Sequence, residues 1–260
     1  MSEYLVFRLY GPMASWGEIA VGESRHSATY PSRSALLGLL GAALGVERDD
    51  EDGQQALFSG YRLAVKMILP GSPMRDYHTV QAPPGKARFR TRRHELNADA
   101  GKLGTLLSMR EYRCDALAVI VAEALPQARW SLSEVREALL HPRFTLYLGR
   151  KSCPLALPLD PQLIAAENVW QAADSSRQYS LAALLGSKYK PEKLQQPWPS
   201  SHDEFLLRPA ETRLYWEEQM SSGQNPQMQL VRNDQPLHRG RWQFAPRREW
   251  MAVVRNKEAQ

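Results

Sequence analysis

Between Lys86 and Arg93 the chain reads KARFRTRR, in which five of eight residues are cationic. Lys86, Arg88, Arg90 and Arg92 recur at every second position, so an extended backbone sends all four side chains to one face and Phe89 to the other. Two strand steps separate neighbouring cations by about 6.6 Å, close to the phosphate spacing of a nucleic-acid strand. With Arg93 added, the run predicts contact with RNA or DNA. The competing reading is a solvated basic loop, because Pro83-Pro84-Gly85 just before it is a break signal. On residue types alone the two stand level.

A second group, Arg75, Tyr77 and His78 in RDYHTV, carries the residue types of acid–base chemistry. A metal-independent ribonuclease needs a base for the 2′-hydroxyl, an acid for the leaving oxygen and a cation for the phosphorane. His78, Tyr77 and a nearby lysine supply those types. In a regular strand, however, Tyr77 points away from the face that carries His78, so the same histidine also reads as one that contacts a base or locks its own segment. In LYLGRKSCP, Arg150 and Lys151 follow Gly149, where the backbone can approach a phosphate closely, and Tyr147 can stack on a base or sit in the core. Arg25 and Arg33 flank the start of a predicted helix and are further phosphate candidates, with ordinary surface arginine as the alternative. Trp16 reads as a packing anchor.

These groups need elements to hold them. Tyr4 to Tyr10 alternates with Leu5, Phe7 and Leu9 on one face, the pattern of a half-buried strand. A Gly/Ser-rich stretch leads to SRSALLGLLGAALGV, a predicted helix with Ser32 as N-cap and Leu36, Leu37, Leu40 and Leu44 as its apolar stripe. Its glycines weaken it by up to about 1 kcal/mol each, so something must approach that face closely. Tyr61 to Leu69 and Leu117 to Ala122 predict two more strands. Ser131 and Glu134 have capping-box spacing before a second helix with Leu132, Val135, Leu139 and Leu140. The order strand, helix, strand, strand, helix then needs a closing strand, for which Trp250 to Val254 and Phe144 to Leu148 are the candidates. That is the split pattern of ferredoxin-like and RNA-recognition folds, an α+β class, with a long excursion at about 75–113 carrying the basic row. Residues 187–204 and 219–229 read as polar loops of one extended domain.

Composition sets modest bounds. The 260 residues are 43% hydrophobic, with a formal net charge of +5 and a pI near 9.2, an excess concentrated in a few arginine-rich segments. Cys114 and Cys153 lack the spacing of a zinc knuckle or redox pair and read as reduced thiols. The acidic run DDEDG at 49–53 reads as a solvated turn, and the six histidines show no metal-ligand spacing, so neither metal nor cofactor is expected. Glu3 and Arg8 interrupt the N-terminal apolar run, which predicts neither signal peptide nor membrane anchor and a cytoplasmic location.

GPMASWG at 11–17, YPSRSALLGLLGAALG at 30–45, RDYHTV at 75–80, REYRCDA at 110–116 and LYLGRKSCP at 146–154 coincide in order with a known pattern. So does RWQFAPRREW at 241–250. Together they resemble the Cas-five family of the RAMP superfamily, subunits of the type I-E CRISPR surveillance complex Cascade. The resemblance implies an RNA-recognition-like core over 1–160 with an inserted β-hairpin thumb, and an irregular extension over 161–260 completing the same domain. It implies a subunit that holds the 5′ handle of the CRISPR RNA, touches the large subunit and a backbone subunit, and meets target DNA indirectly through the thumb. It favours RNA or subunit contact by Lys86, Arg88, Arg90, Arg92 and Arg93, and handle contact by Arg150 and Lys151, with no catalytic residue. A type I-C relative is itself a processing endonuclease, so a metal-independent endoribonuclease is the alternative. A third reading is an adaptor whose basic thumb meets an acidic neighbour.

Overall fold

The structure, a computed structural model, describes residues 1–18, 20, 22–83, 88–97, 103–176, 211–238, 241 and 243–255. The N-terminal half contains β1 (Ser2–Tyr10), the two-residue strands β2 (Met13–Ala14), β3 (Trp16–Gly17), β4 (Ser24–Arg25) and β5 (Ser27–Ala28), then α1 (Arg33–Leu44), α2 (Glu51–Gly60), β6 (Tyr61–Leu69) and β7 (Ser72–Ala82). There follow α3 (Arg92–Asn97), β8 (Gly104–Cys114), β9 (Leu117–Ala124), α4 (Leu132–Leu140), β10 (Gln162–Ala166) and α5 (Val169–Ser175). Strands β11 (Glu211–Glu217), β12 (Met228–His238) and β13 (Gln243–Arg255) complete the described chain.

One sheet dominates, with strand order β10-β1-β9-β6-β11-β13-β12 and antiparallel pairing at each step. Alternation along β1 divides its side chains between two cores. Leu5, Phe7 and Leu9 join Leu36, Leu37 and Leu40 of α1 and Val135 and Leu139 of α4, while Tyr4 and Val6 join Ala172 and Ala173 of α5. Burying each large aliphatic side chain contributes roughly 1.5–3 kcal/mol. The half-buried strand expected at the N-terminus is therefore covered on both faces. Neither segment proposed to close the sheet does so. Gln162–Ala166 pairs with β1, Trp250 to Val254 is separated from β1 by three intervening strands and lies beside β11, and the 144–148 stretch contributes one isolated bridge, Tyr147 to Pro154.

Local chemistry explains the helices. Ser32 accepts the Ala35 N–H at 3.2 Å, and α1 stops where Gly45 turns left-handed at φ 80°. Gly41 permits close packing, since a Cβ there would stand 3.0 Å from Leu57 of α2. At α4, Ser131 and Glu134 form the reciprocal capping box. The acidic run read as a solvated turn instead starts α2. Asp50 caps it by accepting the Gly53 N–H at 2.9 Å, and Glu51 and Asp52 lie in its first turn, where the helix dipole favours negative charge.

A buried ionic lock ties the last strands to the first helix. Arg33 donates through Nε to Glu217 of β11 at 2.9 Å, through Nη1 to Gln235 of β12, and through Nη2 to the carbonyls of Phe58 and Tyr61. Its backbone N–H donates to Asp234 at 2.7 Å. Arg247 of β13 makes a two-pronged bond to Asp234, at 3.0 Å each, and reaches Glu249 at 2.6 Å. The carboxylates around Arg247, Asp234 first, outweigh the cost of burial and hold its pKa above the usual arginine value. Tyr30 donates to Glu249 and stacks on Tyr215 with ring centroids 3.7 Å apart; burial, then the Glu249 charge, raises its pKa. Arg33, expected from its place beside the helix start to face a phosphate, directs its side-chain donors to protein groups. Its side chain is 5% exposed and committed to the interior.

Candidate nucleic-acid interface

Strands β7 and β8 form a hairpin of eleven consecutive pairs, from Ser72 opposite Cys114 to Ala82 opposite Gly104. Its base is sewn to the body. β2 pairs with β8 at Cys114 and Arg113, and β4 runs parallel to it, placing Arg25 opposite Arg110. Glu111 is the central knot, accepting from Arg75 at 3.2 Å and lying 3.3 Å from His26, while the Ser27 N–H reaches it at 3.4 Å. Desolvation pushes the Glu111 carboxyl up, but the bonds from Ser27, His26 and Arg75 outweigh it and hold the pKa below the ordinary value.

Beyond the base the described residues of the hairpin strands are mostly exposed. Tyr77 is 60% exposed and Leu106 62%. Strand alternation puts Asp76, His78, Ser108 and Arg110 on one face, joined by Arg25, and Arg75, Tyr77, Met109 and Glu111 on the other. The His78 ring nitrogen Nε2 lies against an Asp76 carboxylate oxygen. Tyr77 and His78 therefore diverge, as regular pairing requires, and do not meet on one reacting atom.

The basic row is not one extended face. Lys86 lies outside the described residues. Arg88 and Arg90 are exposed in irregular backbone, and Arg92 and Arg93 sit on α3. Thr91 supplies the reason: its hydroxyl accepts the His94 N–H at 3.2 Å and its carbonyl the Glu95 N–H at 3.0 Å, starting a turn of helix. Arg92 pairs with Glu95 at 2.7 Å and donates to the Gln81 carbonyl, while among the described residues of the row Arg88, Arg90 and Arg93 are also exposed.

The 146–154 loop folds on its own bonds, Leu148 N–H to the Cys153 carbonyl at 2.8 Å and Cys153 N–H to the Arg150 carbonyl at 2.9 Å. Gly149 has φ 84°, and a Cβ there would fall 1.9 Å from the Ser15 carbonyl, so only glycine fits. Tyr147 is 37% exposed and Lys151 exposed, while Arg150 lies over the Tyr112 ring of β8 at 4.9 Å. Trp16 is buried at 4% and anchors this junction.

The structure thus gathers Arg25, Arg75 and His78 at the hairpin, brings Tyr147, Arg150 and Lys151 to the neighbouring loop, and sends Arg33 inside. Sequence reasoning missed Arg110 and Arg113. The alternation of REYRC beside β7 was the available signal, legible only once the two strands were known to pair. Among the described residues no group of three His, Cys, Asp or Glu is placed to hold a metal ion, and no helix is long and apolar enough to cross a membrane.

Residues 4–249 match the family model described as CRISPR-associated protein (Cas_Cas5). Over 167 residues the chain is 41% identical to the CRISPR system Cascade subunit CasD of Escherichia coli (strain K12), a match covering 61% of this chain and 70% of that protein. Among solved structures, a chain of a CRISPR RNA-guided surveillance complex superposes with TM-score 0.60 at 22% identity, covering 97% of this chain and 90% of that one. A second, a crystal structure of a Cas protein, gives TM-score 0.54 at 23% identity, covering 98% of this chain and 96% of that one. The model match spans nearly the whole sequence, hairpin and ionic lock included, and the chain belongs to the Cas5 family of CRISPR-associated proteins.

Proposed function

We propose that this chain is a non-catalytic subunit of a Cascade-type surveillance complex, binding CRISPR RNA at its 5′ handle and contacting the large and backbone subunits. The observation that carries the reading is the 41% identity to a Cascade subunit over 167 residues. The strand order β10-β1-β9-β6, antiparallel with α1 and α4 on one face, supports a ferredoxin-like core. The exposed hairpin fits a thumb reaching a guide–target duplex. Arg25, Arg75, His78 and Arg110 line its base, Arg88, Arg90 and Arg93 its far end, and Tyr147, Arg150 and Lys151 the adjoining loop. All act by contact to phosphate or base, and Lys86 belongs to the same proposal by sequence alone. In this reading 161–260 completes the domain, because β11 to β13 extend the same sheet.

The test is fluorescence anisotropy of labelled CRISPR repeat RNA across a salt series. Each phosphate contact removed should flatten the slope of log affinity against log salt by about 0.7. Binding with no salt dependence would overturn the proposal. A parallel denaturing gel in EDTA should show intact RNA; discrete cleavage lost in His78→Ala would move the assignment to the ribonuclease reading. Failure of thumb variants to assemble, with RNA affinity intact, would favour the adaptor.

A further inference from the structure

The hairpin and the 146–154 loop account for cations, but neither explains why two aromatic side chains stand exposed beside the small-residue face of α1. Phe144 is 45% exposed and Tyr147 37%. Both border a cavity of about 720 Å³ whose floor is the outer face of α1, Ala35, Gly38 and Ala42. That volume suits a nucleotide, and ligand sites commonly span about 300–1,000 Å³. Its walls are fixed. Phe144 is tied to the end of α1 by its N–H to the Ala42 carbonyl at 3.0 Å, and Gly149 holds the other end against Ser15.

Charge gives the cavity a direction. Lys151, close to Gly149, stands at the end toward the start of α1, whereas Glu47, Arg48 and Asp49 follow its last turn at the other and sum to a single negative charge. The net charge therefore favours a phosphate at the first end over the second. A second cavity, about 660 Å³ and bordered by Arg232, Asn233 and Phe244, shares Ser34 with the first. Both therefore border the opening turn of α1, on which Ser34 lies.

We infer that the cavity between α1 and residues 144–151 is a subsite for one unpaired nucleotide of the bound RNA. Its base stacks against Phe144 and Tyr147, its phosphate faces Lys151, and the strand continues past Ser34 toward Phe244. This deepens the RNA-binding reading above and rests on it. The small residues of α1 are then a floor for a flat ring, where a larger side chain at Gly38 would fill the space. Stacking on an aromatic platform is tolerant of base identity, so the subsite fixes one nucleotide in place without demanding its letter.

The test scans 2-aminopurine through each position of a single-stranded RNA of about ten nucleotides, bound to the full chain. Stacking is expected to quench fluorescence strongly at one position. Phe144→Ala combined with Tyr147→Ala should abolish that quench and weaken affinity about tenfold or more, with the salt slope unchanged. Tyr147→Phe should keep both, and Lys151→Ala should lower the slope by about 0.7 while keeping the quench. Wild-type chain that binds the RNA with no position quenched overturns the subsite and leaves the RNA-binding reading standing, as does equal quenching in the double alanine variant. Wild-type chain that fails to bind overturns that reading itself. The quench is read on unmodified protein, so a variant that unfolds does not leave the subsite unjudged.

Discussion

Two regions of this molecule collect arginines, and they use them in opposite ways. In the ionic lock, Arg33 and Arg247 are buried among Glu217, Asp234 and Glu249. At the hairpin and its far end, Arg88, Arg90, Arg93 and Arg110 stand exposed. Where a guanidinium is buried, its fork must be satisfied by protein, because a buried unpaired charge costs several kcal/mol. Where it is exposed, the cost is small and the charge stays available to a polyanion. Charge count alone does not separate an architectural arginine from one that binds.

The largest expected effect breaks the lock. Arg33→Ala leaves the Glu217 carboxylate without its buried cation and the Phe58 and Tyr61 carbonyls without their donor, and should destabilise the fold by about 3–5 kcal/mol, read from the midpoint of urea unfolding. A loss under about 1 kcal/mol would mean that the network contributes no more than a surface pair. At the hairpin the expectation is reversed: Arg88→Glu with Arg90→Glu should shift stability by no more than about 0.5 kcal/mol while flattening the salt dependence of RNA binding by about 0.7 for each contact. Equal stability losses in the two regions would erase the contrast. As an intermediate control away from both, Ser131→Ala should cost about 1 kcal/mol through the lost capping box at α4. The smallest effect is in pH. The folded-state pKa of Glu111 is depressed, so its contribution to anchoring the hairpin is present above the ordinary carboxylate pKa and is lost as pH falls through the folded value. Limited proteolysis within 72–114 should accelerate below that range, and Glu111→Gln should remove the pH dependence.

Local rules made the first half of the fold legible. β1, α1, β6, β9 and α4 all follow periodicity and capping residues, down to Ser32 and the Ser131–Glu134 pair. The acidic start of α2 was misread because Asp50 alone carries the cap, and a run of carboxylates looks the same in a turn. The closing strand was missed because Gln162–Ala166 is five residues long and offers little alternation. Among the site residues, Arg33 lies beside a helix start in sequence, and only contacts with residues some 200 positions away show that its partners are protein. The KARFRTRR alternation yields to Thr91, a single residue whose local bonds favour helix. Periodicity reports what a segment prefers, and partners distant in sequence decide what its charges are for.

The lock also has a consequence in time. Arg33 opens α1, while Arg247 and Glu249, which complete its network, are synthesised more than 200 residues later. Until β11 to β13 emerge from the ribosome, the nascent chain holds a helix start whose guanidinium and first N–H lack their carboxylate partners and must stay hydrated. Loop-closure entropy across some 200 residues has to be met before that contact rewards it, so the last stage of folding should be slow. The opening turn of α1, past which the inferred RNA strand runs, is therefore among the last features of the molecule to become fixed.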